Sequence, residues 1–372
     1  MCNVLRITIH KSGFHASTVV VDTPARRGGG GTIDIDRDIG KPPRVTIKTV
    51  ARDAGVSVAA VSKVLNNAYG VSAEMRTKVT RSVDRLGYRP SFAARGMRGQ
   101  TDTIGVLLID MRNPFLADVT EGIKEGLDAI GKRMMISFGG AETVIEKSLI
   151  DAMIDMRMDG VIMVAPRLPS AELAAYARQV PTVLIGHHEP AATAFDTINS
   201  DDRLGATLAV RRLVGRGFRD IWMLAPPRRS GGHEVGDIRE EGYLAAMGEA
   251  GLADRARVIV SRNHAGEDED ELRALLDAIP RPGAVFAWSD IHGIPLVALA
   301  RERGLSVPGD FAVVGYDDST LAASRSVRLS SIDQRGHEIG RRAAGTIVDR
   351  VAGGSDGRHV LIPPRFVGRA SG

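Results

Sequence analysis

Residues 45–65 show the pattern that most constrains this chain, two short amphipathic segments joined by a glycine. Apolar residues recur at helical spacing over residues 47–54, and Gly55 then permits the left-handed backbone of a tight turn, which a β-carbon resists. Ser57 can cap the second segment, because its hydroxyl can accept a bond from a free backbone N–H of the first helical turn. The spacing therefore predicts two helices joined by a tight turn, with Val61 packed against the first helix.

A third helix is predicted from Ser72 to Gly87, with Val79 on its buried face. In a helix-turn-helix, the N-terminal part of the second helix enters the major groove of DNA. That part is expected to expose Val58 for methyl contacts, such as thymine C5, and Lys63 as a donor to guanine or phosphate. The residues of this module that we expect to contact DNA are Thr46, Ser57, Val58, Ala59, Ser62, Lys63, Asn66 and Arg89. The alternative is a small helical bundle with no role in nucleic-acid binding.

The same region is strongly basic. Between residues 44 and 99, eleven Lys and Arg residues stand against three Asp and Glu residues, whereas the whole chain has a formal net charge of +4. The remainder therefore leans acidic, and a compact basic module on such a body is typical of a protein that binds a polyanion. A charge run alone would indicate only a solvated helical face, but here it coincides with the helix-turn-helix pattern.

From Thr103 onward, apolar strand-like runs alternate with amphipathic segments in two successive series. Repeated β–α alternation is typical of doubly wound parallel sheets, and two series predict two lobes. The expected fold class is thus a small all-α helix-turn-helix domain followed by a two-lobed α/β domain. We place the first at residues 44–90, a hinge at 91–100 and the second, for effector binding and dimerisation, at 101–372.

Residues 1–43 differ from the rest in composition, with four consecutive glycines at 28–31 and an Asp-rich patch. Such a segment is expected to be a disordered extension. Translation that begins near Val45 is an alternative hypothesis. N-terminal sequencing of the native protein tests it, since finding Met1 there would refute it.

Several classes of protein are excluded by composition and motifs. Cys2 is the one cysteine, which allows no intramolecular disulfide and no thiolate metal cluster, and no apolar run is long enough to span a membrane. A reducing cytoplasm, in association with the nucleoid, is therefore the expected location. Because the chain has no P-loop, no H-E-x-x-H pattern and no cysteine nucleophile with a plausible base, we predict neither an enzyme nor a bound cofactor or metal.

Four long segments support a family resemblance. They are TIKTVARDAGVSVAAVSKVLNN, VSAEMRTKVTRSVDRLGYRP, the hinge SFAARGMRG, and IGVLLIDMRNPFLADVTEGI. With G-Y-D-D at 315–318 and S-S-I-D-Q at 330–334, the chain after about residue 44 resembles the LacI/GalR family of bacterial transcription repressors. The resemblance implies a homodimer on operator DNA. It also implies a second domain like the periplasmic sugar-binding proteins, with two lobes, three crossovers and the ligand between the lobes.

The hinge has a special role in that family. It is disordered off DNA, becomes a helix on specific DNA and inserts an apolar side chain into the minor groove. The resemblance assigns this insertion to Met97, where a leucine is usual, with Ala94 as a further contact. Gly96 departs from the pattern and lowers helix propensity by about 1 kcal/mol relative to alanine, so ordering this hinge should cost more. A plain linker is the alternative.

The resemblance also places an effector site near the carboxyl ends of the strands. The expected effector contacts are Asn113, Phe115, His187, Arg239, Trp288, Ser289, Asp290 and Asp317. Arg and Asp can bind vicinal hydroxyls and an aromatic ring can stack on a sugar, so a carbohydrate is the expected effector. Asp317 could instead cap the following helix, Arg239 could pair near Glu241, and Trp288 could be a core residue. An asparagine is usual where this chain has Ser289.

Together these patterns predict a homodimeric transcription regulator, most often a repressor in this family, whose affinity for operator DNA is controlled by a small-molecule effector. One alternative is a nucleobase or phosphorylated sugar as the effector, acting as a corepressor. Another is a small-molecule binding protein with a vestigial DNA module. The sequence leaves open the identity of the effector, induction or corepression, the operator sequence, and assembly beyond a dimer.

Overall fold

The computed structural model describes residues 45–65, 68–89, 101–227, 234–261, 268–354 and 357–372. The chain divides into two compact units, residues 1–89 and residues 90–372. The expected extension at 1–43, the hinge at 91–100 with Ala94 and Met97, and Asn66 lie outside the described residues.

The described part of the first unit consists of three helices, α1 (Ile47–Ala54), α2 (Val58–Leu65) and α3 (Ala73–Leu86). Gly55 follows α1 with φ +66°, the left-handed conformation that the sequence predicts. Ser57 Oγ accepts a bond from the Ala60 N–H at 3.1 Å and so caps α2. Ser72 Oγ accepts from the Met75 N–H at 3.2 Å and caps α3.

The three helices meet in a small apolar core. Val50 of α1, Val61 of α2 and Val79 of α3 are 0% exposed. The buried members of this cluster are Val50, Ala51, Val61, Val64, Val79 and Tyr88. Burying one such side chain contributes about 1.5–3 kcal/mol, so packing rather than helix propensity holds the eight-residue α2 in place.

Twelve strands form the described sheets of the second unit. They are β1 (Thr103–Leu108), β2 (Arg133–Phe138), β3 (Gly160–Val164), β4 (Thr182–Ile185), β5 (Asp196–Ser200), β6 (Asp220–Ala225), β7 (Arg257–Val260), β8 (Gly283–Ala287), β9 (Phe311–Tyr316), β10 (Ser330–Asp333), β11 (His359–Ile362) and β12 (Arg365–Val367). The sheet of the first lobe has the order β11-β5-β4-β3-β1-β2 and is parallel throughout. The sheet of the second lobe has the order β12-β10-β9-β8-β6-β7 and is parallel except for the β10–β12 pair.

Helices cover both faces of each sheet. They are α4 (Phe115–Asp128), α5 (Thr143–Asp155), α6 (Ser170–Ala177), α7 (Asp202–Gly215), α8 (Val235–Glu249), α9 (Glu269–Ala278), α10 (Asp290–Glu302), α11 (Thr320–Ala323) and α12 (Gly336–Val351). Consecutive residues of β1 show the two-sided burial, because Val106 packs in one apolar cluster and Leu107 in another. None of the helices in the described part of the chain is long and apolar enough to cross a membrane.

The described chain passes between the two sheets three times, after β5, after β10 and between β11 and β12. The second passage returns α12 to the first lobe, where it packs against α4. A glycine pair permits this approach: a Cβ on Gly122 would lie 2.1 Å from the His337 carbonyl oxygen, and one on Gly340 would lie 2.1 Å from that of Val119. The two-lobed fold class predicted from the sequence is confirmed.

Some boundaries differ from the predicted series. The pattern predicts helices over residues 239–250 and 294–303, whereas in the structure α8 already begins at Val235 and α10 at Asp290. The buried strand β5 reads DTINS and has too little apolar character to be recognised as a strand. Strands β10, β11 and β12 are four, four and three residues long, too short for a clear periodicity.

Candidate DNA-reading helix and effector cleft

The N-terminal part of α2 is an exposed surface of small side chains. Val58 is 40% exposed, and Ala59 and Lys63 are also exposed, whereas Val61 between them is buried. The cap from Ser57 fixes where the helix begins. Small side chains leave the helix backbone close to whatever surface it meets, which suits insertion into the major groove.

Thr46 fixes the start of α1 through a reciprocal cap. Its Oγ1 accepts from the Thr49 N–H at 3.3 Å, and Thr49 Oγ1 accepts from the Thr46 N–H at 3.3 Å. Both side chains are therefore committed to helix geometry, with the Thr46 side chain at the surface. Ser62 is partly exposed, and Arg89 is exposed after the buried Tyr88.

Among the described residues of this unit, two of the three acidic side chains are already paired. Glu74 binds Lys78 at 2.8 Å, and Asp53 binds Arg85. Lys48, Arg52, Lys63, Arg81 and Arg89 are all exposed. The surface of this unit therefore retains a strong positive charge, as the sequence predicts.

In the second unit, a cavity of about 150 Å³ lies between the two lobes. Its walls come from the carboxyl ends of strands in both sheets, for example Ile109 after β1, Gly186 after β4 and Trp288 after β8. Parallel α/β sheets bind ligands at this edge, because helix N-termini and loop side chains converge there. Six of the predicted effector contacts line it, and they are Asn113, Phe115, Arg239, Trp288, Ser289 and Asp317.

Arg239 is the most constrained of these residues. It is 2% exposed; its Nε donates to Asp202 Oδ1 at 2.7 Å and its Nη1 donates to the Trp288 carbonyl at 2.6 Å. The guanidinium carbon lies 3.6 Å from the ring centroid of Tyr316. Burial raises the pKa of Asp202, but the Arg239 charge and the hydrogen bond with His188 together outweigh burial and hold that pKa below its ordinary value. The result is a rigid cation at the wall of the cavity.

Asp317 joins the two lobes. Asn113 Nδ2, at the start of α4 in the first lobe, donates to Asp317 Oδ2 at 2.8 Å, and Gln334 Nε2 donates to Asp317 Oδ1 at 2.5 Å. The carboxylate is 4% exposed, and burial raises its pKa to about 7 despite the nearby Arg239 charge. Each oxygen still has a lone pair that could accept a bond from a ligand hydroxyl.

Two aromatic side chains flank these charges. Phe115, 9% exposed, lines the cavity and also packs in the core of the first lobe. Trp288 is half-buried, and its indole Nε1 is buried with no hydrogen-bond partner in the part of the chain that the structure describes. The hydroxyl of Ser200, another lining residue, is in the same state. A buried polar atom without a hydrogen-bond partner lowers the stability of the fold, and a ligand that bonds it would remove that cost.

The two profiles that match this chain correspond to its two units. "Bacterial regulatory proteins, lacI family" matches residues 46–91, and "Periplasmic binding protein-like domain" matches residues 210–372. The HTH-type transcriptional repressor PurR of Erwinia tasmaniensis is 31% identical over 82% of this chain and 90% of that protein. This chain belongs to the LacI family.

Other LacI-family proteins agree with that assignment. The ribose operon repressor of Escherichia coli K12 is 32% identical over 82% of this chain and 93% of that protein. The lac repressor dimer, solved with operator and the anti-inducer ONPF, has the same fold with a TM-score of 0.75, at 24% identity over 88% of this chain and 98% of that one. The predicted function, a DNA-binding transcription repressor with an effector-binding domain, is confirmed at the level of the family, and these relatives are repressors rather than enzymes.

Two of the predicted effector contacts are not among the residues that line the cavity. His187, which follows the lining residue Gly186, has its Nε2 3.3 Å from Ser170 Oγ and 3.0 Å from Glu189 Oε2. Asp290 is 0% exposed and accepts bonds from the second lobe itself. No group of three or more His, Cys, Asp or Glu among the described residues is arranged to hold a metal ion.

The plainer alternatives can be compared with the geometry. Glu241, the expected surface partner of Arg239, pairs instead with Arg203. The following helix, α11, is capped by the Ser319 hydroxyl and not by Asp317. Both observations leave Arg239 and Asp317 at the cavity.

Several lining residues were not anticipated. Asp202 is the buried partner of Arg239, and the pair Arg167–Glu234, with Nη1 and Oε2 3.1 Å apart, joins the two lobes. Gln334 ends the S-S-I-D-Q motif, but nothing in that motif indicates that its amide donates to Asp317. No local pattern distinguishes Asp202 from its neighbour Asp201, since only the tertiary fold brings it to Arg239.

Proposed function

We propose that this LacI-family protein binds operator DNA as a homodimer through α2, and that a sugar held in the cleft controls its affinity for DNA. The observation that supports it best is the combination of an exposed α2 in a basic unit with a cavity walled by Arg239 and Asp317. Two copies would read a pseudo-palindromic site, because a two-fold protein mirrors its DNA. The cytoplasm is the location that this function requires.

The domain boundaries and contact residues are part of the proposal. We assign DNA binding to residues 44–90, a DNA-ordered hinge to 91–100, and effector binding and dimerisation to 101–372, with 1–43 as an extension. The proposed DNA contacts are Thr46, Ser57, Val58, Ala59, Ser62, Lys63 and Arg89, together with Asn66, Ala94 and Met97 outside the described residues. The exposure of Val58, Ala59 and Lys63 supports the choice of α2.

A sugar fits the cleft because its hydroxyls both donate and accept. Asp317 can accept from hydroxyls, and the Arg239 guanidinium, held on Nε and Nη1, still has N–H groups to donate. The Trp288 Nε1, which has no hydrogen-bond partner among the described residues, matches a sugar oxygen, while Phe115 supplies an apolar surface. The proposed contacts are Asn113, Phe115, Arg239, Trp288, Ser289 and Asp317. The name of the ribose operon repressor is consistent with this class of effector.

An anionic effector, such as a phosphorylated sugar, fits less well. Arg239 is paired with Asp202, and Arg167 is paired with Glu234, so both buried cations already face a carboxylate. A phosphate would also lie near the acidic Asp317. The two buried arginines therefore offer a phosphate no uncommitted charge to offset its desolvation, and the third lining arginine, Arg112, is exposed, where solvent weakens the effect of its charge.

The DNA part is tested by fluorescence anisotropy, with the full chain and labelled DNA from its own upstream region. We expect tight binding that weakens steeply with salt, because phosphate contacts release counterions. Unlabelled DNA of unrelated sequence is the control for specificity. No binding at low salt would overturn the regulator function.

The effector part is tested by thermal shift against a panel of neutral sugars and their phosphates, repeated with the bound DNA present. A neutral sugar should raise the melting temperature of the free protein and weaken DNA binding. Operator DNA should weaken sugar binding by the same factor, since coupling is reciprocal. Arg239→Ala should remove the response, and Arg203→Ala, at an exposed arginine of α7, should keep it. A response to phosphates alone would overturn the neutral-sugar assignment.

A further inference from the structure

Asp290 is a fully buried carboxylate that points away from the cleft cavity and toward the turn after β9. Its Oδ2 accepts from the Ser319 N–H at 2.7 Å, and its Oδ1 accepts from Ser331 Oγ at 2.6 Å. Ser331 Oγ in turn accepts from the Asp318 N–H at 3.0 Å. One carboxylate thus holds two consecutive backbone N–H groups, one directly and one through a serine.

These two N–H groups, of Asp318 and Ser319, belong to a turn that contains two residues with positive φ. Asp317 has φ +112° and Asp318 has φ +54°, conformations that residues with a β-carbon rarely adopt. Such a backbone persists only where its surroundings over-determine it. The bonds to Asp290 and Ser331, with the Asp317 N–H bonded to the Ile332 carbonyl at 2.9 Å, supply that determination.

The close approach of Asp290 depends on a glycine. A Cβ on Gly315, near the end of strand β9, would lie 2.2 Å from Asp290 Oδ1. The strand therefore leaves room for this carboxylate and for no side chain. A buried acid with a reserved space and two ordered donors is a built contact rather than an incidental one.

We propose that Asp290, acting with Ser331, is a positioning residue that forces the Asp317 backbone into its strained conformation and so aims the Asp317 carboxylate at Asn113 across the cleft. Asp290 does not itself contact the effector. The role in effector binding rests on the proposed function, in which Asp317 contacts the effector. The effect of Asp290 and Ser331 on the Asp317 backbone can be measured without any effector.

Hydrogen–deuterium exchange of the full-length protein gives the first readout. In Ser331→Ala and in Asp290→Asn, the peptide that covers residues 316–320 should exchange about 10-fold faster or more. Ser331→Ala removes the acceptor of the Asp318 N–H, and Asp290→Asn removes the carboxylate that bonds Ser331 and the Ser319 N–H. Ser330→Ala is the matched control. Ser330 is equally buried in the same strand, but it bonds Arg369 and Gly372 instead of this turn. Unchanged exchange at 316–320, or an equal rise throughout α10 and β9, would overturn the proposal.

A mutant cycle gives the second readout, which a general loosening of the lobe would not produce. Asn113→Ala and Asp317→Ala should shift the melting temperature non-additively in the parent chain, because the two residues share a bond. In the Ser331→Ala background the two shifts should become additive, and in the Ser330→Ala background they should stay non-additive. Coupling that survives Ser331→Ala, or that is absent from the parent, would overturn the proposal.

The two readouts separate the inference from the effector proposal. If no sugar in the panel binds but the exchange and the cycle behave as expected, Asp290 positions Asp317 and only the effector class is wrong. If a sugar binds and Ser331→Ala leaves the coupling intact, the effector class stands and the positioning role is wrong.

Discussion

Asn113 and Asp317 are hydrogen-bonded across the cleft, with Asn113 Nδ2 2.8 Å from Asp317 Oδ2, although the two residues lie 204 positions apart. One belongs to the first lobe and the other to the second, so this bond can exist only when the lobes are close together. The Arg167–Glu234 pair spans the same cleft at 3.1 Å. A ligand that contacts both Asn113 and Asp317 would therefore act directly on the relative positions of the lobes.

The stability of the protein should depend on pH through Asp317. Burial raises the pKa of Asp317 from its ordinary 3.8 to about 7, and that of Asp290 to about 6. Between these values and 3.8 the folded state binds more protons than the unfolded state, so the free energy of unfolding should fall as pH rises from about 4 to about 7. Asp317→Asn should flatten the upper part of that decrease, as measured by urea unfolding at several pH values. The exposed Asp254→Asn is the control, and a slope equal to the parent's in Asp317→Asn would contradict the assignment.

Lys63 should contribute to DNA affinity through charge. Lys63→Ala should weaken binding to the upstream DNA and lower the slope of log affinity against log salt by about 1, because one fewer counterion is released. Anisotropy titrations over a KCl series measure this slope. Lys124→Ala removes the same charge from α4 in the second unit, where Lys124 pairs with Asp128. If both variants change the slope equally, α2 is not the DNA-reading helix.

The close packing of α4 and α12 should tolerate no side chain at Gly340. Gly340→Ala places a methyl group 2.1 Å from the Val119 carbonyl oxygen, and it should lower the free energy of unfolding by about 3 kcal/mol. Gly345, in the same helix, has open space around its Cβ position. Gly345→Ala should therefore raise stability by up to about 1 kcal/mol through helix propensity. Circular-dichroism melts of the two variants decide the point, and equal effects would contradict the packing.

Breaking the buried Asp202–Arg239 pair should be costly. The side chains are 1% and 3% exposed, so Asp202→Ala leaves a buried cation with one partner removed. We expect a loss of about 3–5 kcal/mol in the free energy of unfolding. Glu241→Ala breaks the exposed pair with Arg203 and should cost about 1 kcal/mol or less. Urea denaturation compares the two, and similar losses would show that burial does not govern this pair.

The helix-turn-helix could be predicted from local sequence because its determinants are local. Gly55 supplies the left-handed turn, Ser57 caps α2, and helical spacing buries Val61. Each of these effects acts within a few residues of the chain, and the basic charge adds to them. The expectation that Arg239 and Asp317 lie at the cleft came instead from the family resemblance, and both residues line the cavity.

Other features were decided only by the tertiary structure. The strand β5 is polar in sequence and buried because it lies inside a sheet, and α12 belongs to the first lobe although it follows a strand of the second. Two buried carboxylates depend on distant residues. Asp290 bonds residues 29 and 41 positions away, and Asp202 bonds Arg239, which is 37 positions away. Periodicity reports which face of an element is buried, but not which distant element covers it. The sequence by itself determined the DNA-binding helix-turn-helix, whereas long-range packing decided which acids line the cavity and which, like Asp290, bond the turn beside it.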